Sequence, residues 1–206
     1  MSEALRHLRR VDPVMAQLIR RAGPYRPVPE RGVGPYLALV QAVAHQQLTG
    51  KAANTILGRL QALYDGVRYP TPEELATTPD ERLRGCGFSR AKTASLKDIA
   101  ARSLDGTIPA RRALARMKDE AIIERLTEAR GVGRWTVEMF LMFTLARPDV
   151  LPVDDYGIRN GYRIAYGKRS LPKAKALAKF GERWAPYRTT ASWYLWRAVD
   201  LDRELR

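Results

Sequence analysis

A chain of 206 residues, 45% of them hydrophobic, is long enough to bury its own core, either as one domain or as two lobes. Its single cysteine, Cys86, excludes an internal disulfide framework, a four-cysteine zinc site and a four-cysteine iron–sulfur cluster on this chain. The 36 lysines and arginines against 22 acidic residues give a formal net charge of +14, which favours a polyanionic partner such as nucleic acid, although a charge surplus can also serve solubility alone.

Apolar residues recur at three- and four-residue spacing in the long segments, and no segment sustains the alternation of a strand. The sequence therefore predicts an all-α protein. In chain order the predicted helices cover residues 35–47, 50–64, 71–77, 89–104, 118–128, 133–146, 155–165, 172–184 and 189–202.

The stretch "DGTIPARRA", residues 105–113, is typical of a linker because turn residues interrupt the apolar periodicity there. We interpret it as the division between two helical lobes of a single unit spanning residues 1–206. Residues 35–110 form one predicted lobe, and residues 1–34 together with 111–206 form the other.

The stretch "LTEARGVGRWTVEMFLMFTL" predicts two helices joined by a very tight turn. Gly131 and Gly133 permit the positive φ and the close backbone approach that such a turn needs. The N–H groups at the start of the second helix can hold a phosphate by hydrogen bonds and by the helix dipole. This is the pattern of a helix-hairpin-helix that grips a DNA backbone, although the two glycines alone would favour an ordinary turn between two helices.

Further motifs accompany this hairpin. The tract L-x-x-x-x-G-V-G-x-W-T, the proline-bearing loop "ARPDVLPV" and the following "DDYGIR" resemble the helix-hairpin-helix–Gly/Pro–Asp (HhH-GPD) superfamily of base-excision DNA glycosylases. Within it, "HQQLTGKAANTI" and "LRGCGFSRAKTASL" are similar to the 3-methyladenine DNA glycosylase II (AlkA-type) branch. The resemblance implies a DNA-binding cleft between two helical lobes. The branch's usual extra N-terminal β-rich domain has no room before Pro35, so we expect a compact form.

The resemblance also implies a carboxylate beside the deoxyribose C1′ of a flipped-out nucleotide, where positive charge develops as the base departs. Matching "VDDYGIR" to the branch's pattern places this catalytic role on Asp155, with Asp154 as the alternative. Both aspartates lie at a predicted helix start, so either can be a cap, and we expect Asp154 to be capping or salt-bridged.

Glycosylases that also cut the strand resemble this hairpin but carry a lysine where this sequence has Trp135. The resemblance therefore implies a monofunctional enzyme without lyase activity. It also implies that Trp135, Trp196 and Tyr156 are aromatic walls of a pocket for a cationic alkylated base, whereas Trp193 is expected in the core. Ordinary core packing is the alternative for Trp184, Trp193 and Trp196.

At "HQQLTGK" the family places the side chains that fill the gap left by the flipped nucleotide. The resemblance puts the DNA wedge at Gln47, with Leu48 a close alternative, and puts Gln46 and His45 near the base pocket. A histidine at this place departs from the branch, which often has a small residue there. The expected contacts to the DNA backbone are Gly131, Gly133, Arg134, Thr136, Arg90 and Lys92. A structural Na⁺ or K⁺ at the hairpin would be held by the carbonyls of Thr127, Ala129 and Val132.

We thus expect a monomer that acts on double-stranded DNA containing damaged bases and flips the damaged nucleotide out of the helix. It is expected to remove alkylated bases, such as 3-methyladenine and 7-methylguanine, in base excision repair. No cofactor is expected to be required. The sequence contains no secretory segment and no run of about 18 apolar residues, so we expect a cytoplasmic protein without membrane contact, nucleoid-associated if bacterial. The alternatives are excision of another damaged or mismatched base, a non-catalytic helix-hairpin-helix DNA-binding protein, and a structural helical protein with fortuitous charge.

Overall fold

The computed structural model describes residues 2–27, 32–64, 66 and 68–205. Every regular element among these residues is helical, so the prediction of an all-α fold is confirmed. The chain divides into two compact units, which we call the terminal unit (Met1–Pro29 with Leu141–Arg206) and the central unit (Glu30–Phe140).

The helices in chain order are α1 (Glu3–Val11), α2 (Pro13–Ala22), α3 (Pro35–His45), α4 (Gly50–Ala62), α5 (Pro72–Thr77), α6 (Asp80–Gly85), α7 (Arg90–Leu104), α8 (Arg111–Leu114), α9 (Asp119–Leu126), α10 (Arg134–Met139), α11 (Tyr156–Ala165), α12 (Ala174–Gly181) and α13 (Arg188–Glu204). A π-helical segment, Phe140–Thr144, follows α10, and a 3₁₀ turn, Glu182–Trp184, follows α12. Each predicted segment contains a helix. The short α6 and α8 were not predicted, and neither were α1 and α2.

The boundary between the units differs from the predicted one, which joined residues 111–140 to the C-terminal lobe. Residues 105–113 do not behave as a linker, because the Arg125 guanidinium donates to the carbonyls of Gly106 and Thr107 at 2.9 and 2.8 Å. Ile108 is also buried. These contacts fasten the segment to α9, so the hairpin that follows α9 belongs to the central unit.

The central unit packs around α7, which contacts α3, α5 and α6. The buried side chains of α7 include Leu96 and Ile99. A serine cap begins this helix, since the Ser89 side chain accepts a hydrogen bond from the Lys92 N–H. The capped first turn of α7 carries Arg90 and Lys92, two of the predicted DNA contacts.

In the terminal unit, α11 packs against α13 at very short range. A Cβ at Gly161 would lie 1.9 Å from the Leu195 carbonyl oxygen, so only glycine allows this approach. The same unit buries Asp12, which is 1% exposed and accepts hydrogen bonds from the Tyr166 hydroxyl (2.6 Å) and the Trp184 indole N–H (2.9 Å). A buried carboxylate thus joins the start of α2 to distant parts of the chain.

None of the described helices has the length and apolar character that crossing a membrane requires.

Candidate functional site

Asp155 lies at the N-cap of α11, and its side chain is half-buried. Its Oδ1 atom accepts a hydrogen bond of 2.7 Å from the Ile158 N–H and one of 2.9 Å from the Trp196 indole N–H. The carboxylate is therefore fixed by the helix end and by a second helix. Asp154 is exposed, and of the two aspartates it is Asp155 that makes the helix cap, so the capping alternative for Asp154 is wrong.

Trp196 on α13 is half-buried and was predicted as an aromatic wall. Its ring stacks on Phe143, with centroids 6.0 Å apart and an interplanar angle of 25°, while its N–H points to Asp155. Its role as a pocket wall stays a prediction, but the ring also orients the carboxylate. The sequence reading missed this hydrogen bond and the stacking partner Phe143.

Gly157 was also missed by the sequence reading, although it lies in the "DDYGIR" motif. A Cβ at this position would be 2.8 Å from Trp196 Cδ1, 3.0 Å from Trp196 Nε1 and 3.1 Å from Asp155 Oδ1. Any larger residue would push the indole away from the carboxylate. The glycine is therefore required by the contact between Trp196 and Asp155.

Large hydrophobic side chains that face solvent include three predicted site residues: Tyr156 is 68% exposed, Trp135 47% and Leu48 41%. Tyr156 directly follows Asp155 in the terminal unit, whereas Trp135 and Leu48 belong to the central unit. By contrast, Trp184 is fully buried in the core, and Trp193 is partly buried against the core, where it packs edge-on against Tyr25. Exposed aromatic faces are suited to stacking on a base.

The hairpin turn joins α9 to α10. Gly131 has φ +77°, and a Cβ there would lie 2.4 Å from Ser95 Oγ, so both backbone conformation and packing require glycine. Gly133 has an ordinary φ of −91° and open space around the position of a Cβ. The predicted positive φ therefore applies to Gly131 alone, while Gly133 leaves room for a close neighbour at the start of α10.

We call residues 46–49, between α3 and α4, the wedge turn. Gln47 is exposed and adopts φ +56°, a conformation that non-glycine residues rarely take. His45, the last residue of α3, is exposed as well. Gln46 was predicted near the base pocket, but its side-chain amide donates to the Gly131 carbonyl at 2.8 Å. The wedge turn is thereby tied to the hairpin.

A family model described as an HhH-GPD superfamily base excision DNA repair protein matches residues 40–186, from the middle of α3 to just beyond the 3₁₀ turn. The chain belongs to this superfamily. DNA-3-methyladenine glycosylase 1 of Schizosaccharomyces pombe is 43% identical over 204 residues, which are 98% of this chain and 89% of that protein. The predicted resemblance is therefore confirmed.

Solved structures agree with this assignment to the HhH-GPD superfamily. The structure of the Schizosaccharomyces pombe 3-methyladenine DNA glycosylase in complex with abasic DNA superimposes with a TM-score of 0.84, at 44% identity, over 95% of this chain and 96% of that one. The crystal structure of a DNA-3-methyladenine glycosidase from Bacillus halodurans gives a TM-score of 0.89, at 34% identity, over 98% of this chain and 92% of that one.

The residues expected to contact the DNA backbone differ in their surroundings in this HhH-GPD chain. Arg90 is exposed on the first turn of α7, whereas Thr136 is buried, with only 5% of the whole residue exposed. Arg134 donates to both carboxylate oxygens of Glu120, at 2.6 and 2.8 Å, and to Glu138 at 3.2 Å. The Arg134 guanidinium holds the pKa of Glu120 below its usual value. Arg134 is thus already neutralised in part by the protein.

The carbonyls proposed for a cation lie in the turn between α9 and α10. The Ala129 carbonyl accepts the N–H of Val132 at 3.0 Å, and it keeps a second lone pair. Carbonyl oxygens suit Na⁺ or K⁺. Among the described residues, no group of histidine, cysteine or acidic side chains is arranged to hold a metal ion. The carbonyl set, with Thr127 at the end of α9, therefore stays the predicted cation site.

Proposed function

We propose that this HhH-GPD protein is a monofunctional DNA glycosylase that hydrolyses the N-glycosidic bond of alkylated bases, such as 3-methyladenine and 7-methylguanine, in duplex DNA during base excision repair. The relatives described above are named as 3-methyladenine glycosylases or glycosidases, and one of them was solved with abasic DNA, the product of such a reaction. The observation that carries the proposal is the orientation of the Asp155 carboxylate by Ile158 and Trp196.

Cleavage of the N-glycosidic bond requires one fixed anion beside C1′. As the bond between C1′ and the base nitrogen breaks, the base leaves with the electron pair and the sugar takes on oxocarbenium character. The Asp155 carboxylate stabilises this positive charge, and it does so without reorganising because two donors already hold it. Water then forms the new bond at C1′ and gives up a proton.

An alkylated purine makes this reaction easier than an ordinary base does. Alkylation at N3 or N7 leaves the base cationic, so it departs as a neutral molecule and needs no dedicated general acid. The exposed rings of Trp135 and Tyr156 offer π faces that attract such a cation. These features support alkylated purines as the substrate class.

The absence of lyase activity is proposed from one residue. Strand-cutting relatives use a lysine amine to form a Schiff base with the sugar, and this chain has Trp135 at the corresponding position. Water is therefore the proposed nucleophile, and the proposed product is an intact strand with an abasic site. We propose that the protein acts as a monomer without a cofactor.

Asp155→Asn tests the proposal because asparagine caps a helix about as well as aspartate but carries no charge. The expected result is a loss of base release from dimethyl-sulfate-treated duplex of about 10²–10³-fold, with unchanged affinity for abasic DNA and unchanged helix content. Base release is measured by chromatography under single-turnover conditions.

Asp154→Asn is the matched control, because Asp154 is exposed and the cap belongs to its neighbour. It should keep near-full activity. If Asp155→Asn stays active and Asp154→Asn is inactive, the assignment within the pair is wrong. If the unaltered protein binds duplex DNA but releases no base from any methylated substrate, it is a DNA-binding protein rather than a glycosylase.

A further inference from the structure

Gln47, in the wedge turn, has a φ of +56°. Among the described residues, Ala146 is the other non-glycine residue with a positive φ. Such a conformation persists only where the surrounding structure enforces it, and it is often found at functional positions. The contacts around the wedge turn therefore reveal what keeps Gln47 and the exposed Leu48 in place.

The first contact comes from Lys92. Its ammonium donates to the carbonyls of Ala44 and Gln46, at 2.8 Å each, although these residues are more than forty positions away in sequence. The two carbonyls flank His45 at the end of α3, where helical hydrogen bonds run out. Burial lowers the pKa of Lys92, which agrees with an ammonium turned toward the protein.

The second contact is the hydrogen bond from the Gln46 amide to the Gly131 carbonyl. Helix α7, which carries Lys92, also reaches the hairpin farther along its length. Asp98 accepts the Arg130 N–H at 2.7 Å, and the Ser95 side chain lies directly against Gly131. One helix therefore braces both the wedge turn and the hairpin.

We propose that Lys92 and Gln46 are positioning residues that lock the wedge turn against the hairpin, so that Gln47 and Leu48 enter the duplex while the hairpin grips its backbone. This inference rests on the proposed glycosylase function. It gives Lys92 a different role from the phosphate contact that the sequence predicts. A lysine that satisfies two carbonyls acts on the shape of the turn and makes no phosphate contact in this role.

Lys92→Met tests the inference, since methionine keeps an unbranched apolar side chain but has no donors. The substrates are a duplex with 7-methylguanine opposite cytosine and the same duplex with an abasic-site analogue opposite the lesion. Wedge insertion matters most where a base pair must be opened. We expect the rate of base release from the paired duplex to fall by about tenfold or more, because small misplacements of a positioned group cost rates of this order. The rate on the second duplex should change by less than about threefold.

Lys97→Met is the matched control. Lys97 lies on the same helix, and its ammonium donates to the carbonyls of Ala76 and Thr78 at the end of α5, away from the wedge turn. It should leave the ratio of the two rates unchanged. Lys92→Arg, which retains donors, should recover much of the lost rate on the paired duplex.

The salt dependence of binding to abasic duplex separates positioning from phosphate contact. Loss of one phosphate contact would lower the slope of log affinity against log salt by about 0.9, whereas a positioning residue should leave the slope unchanged. Gln46→Ala offers a second variant on the half-buried side of the turn and should lower the paired-duplex rate selectively, like Lys92→Met.

Several outcomes would overturn the inference: an equal loss on both duplexes, a lower salt slope for Lys92→Met, or the same behaviour for the Lys92 and Lys97 variants. If Lys92→Met does not fold, as judged by circular dichroism, the selective effect must appear in Gln46→Ala, and its absence there overturns the inference. If the unaltered protein releases base from neither duplex, the proposed function fails and this inference fails with it. Active unaltered protein with an unchanged rate ratio in the variants refutes the positioning role alone.

Discussion

Replacing Trp196 with phenylalanine removes a single hydrogen-bond donor while it keeps an aromatic ring against Phe143. The lost bond is the 2.9 Å contact from the indole N–H to Asp155 Oδ1. A hydrogen bond to a charged group contributes about 1.5–3 kcal/mol, which corresponds to a rate factor of about 10- to 150-fold if the transition state loses all of it. Both side chains are half-buried and partly reached by water, so we expect the lower end, about tenfold.

The assay is single-turnover base release from a duplex with one 7-methylguanine. Trp193→Phe is the control, because Trp193 lies on the same helix but packs against Tyr25. A double-mutant cycle adds a sharper criterion. In an Asp155→Asn background, Trp196→Phe should cost little further activity, because Trp196 affects the rate by orienting the Asp155 carboxylate. A Trp196→Phe rate within about twofold of the unaltered protein, or an equal loss in both backgrounds, would show that Trp196 acts only as a pocket wall.

Three other predictions test separate features. Gly157→Ala should displace the Trp196 ring and lower the rate of base release by a factor similar to that of Trp196→Phe. Gly58→Ala is the control, because Gly58 lies within α4 with open space around it. It should leave base release unchanged and stabilise the fold by about 0.5–1 kcal/mol. Asp12→Asn replaces a buried acceptor of several hydrogen bonds, so it should cost about 2–4 kcal/mol and lower the melting temperature in calorimetry by roughly 5–15 °C. A melting temperature within about 2 °C of the unaltered protein would contradict that role. Borohydride should trap no protein–DNA adduct during base release, because the proposed monofunctional chemistry places Trp135, and no lysine amine, at the position of the nucleophile. An adduct lost in one lysine variant would refute monofunctional chemistry.

The helical elements were largely predictable because apolar periodicity reports directly on the buried face of a helix. The N-terminal helices α1 and α2 were not predicted, although their caps were visible in the sequence. Ser2 caps α1, and Asp12 followed by Pro13 begins α2. These helices bury apolar residues against the C-terminal helix α13, and that partner is far away in sequence. The cap residues therefore indicate where α1 and α2 begin, whereas the packing of these helices depends on tertiary structure.

The motifs of the sequence select candidate site residues, whose roles stay predictions, but they do not show how those side chains are oriented. The motif "DDYGIR" led to Asp155, yet the need for glycine at position 157 comes from the Trp196 ring, some forty residues later. Lys92 at a helix start resembles a phosphate ligand because sequence shows its charge and its place on α7. It does not show the carbonyls of Ala44 and Gln46 that the ammonium meets.

Asp155 and Lys92 share a physical arrangement that explains why a cap and a function need not compete. A helix end leaves backbone groups without helical partners, and a side chain that satisfies them is held in one orientation. Asp155 satisfies the start of α11 and Lys92 the end of α3, and in each case a second contact fixes the local geometry, Trp196 for the carboxylate and Gln46 for the turn. The interpretation of Asp155 as a helix cap is therefore compatible with its proposed catalytic role. The cap fixes the carboxylate in advance, and a charge fixed in advance stabilises a developing cation without the cost of reorganisation.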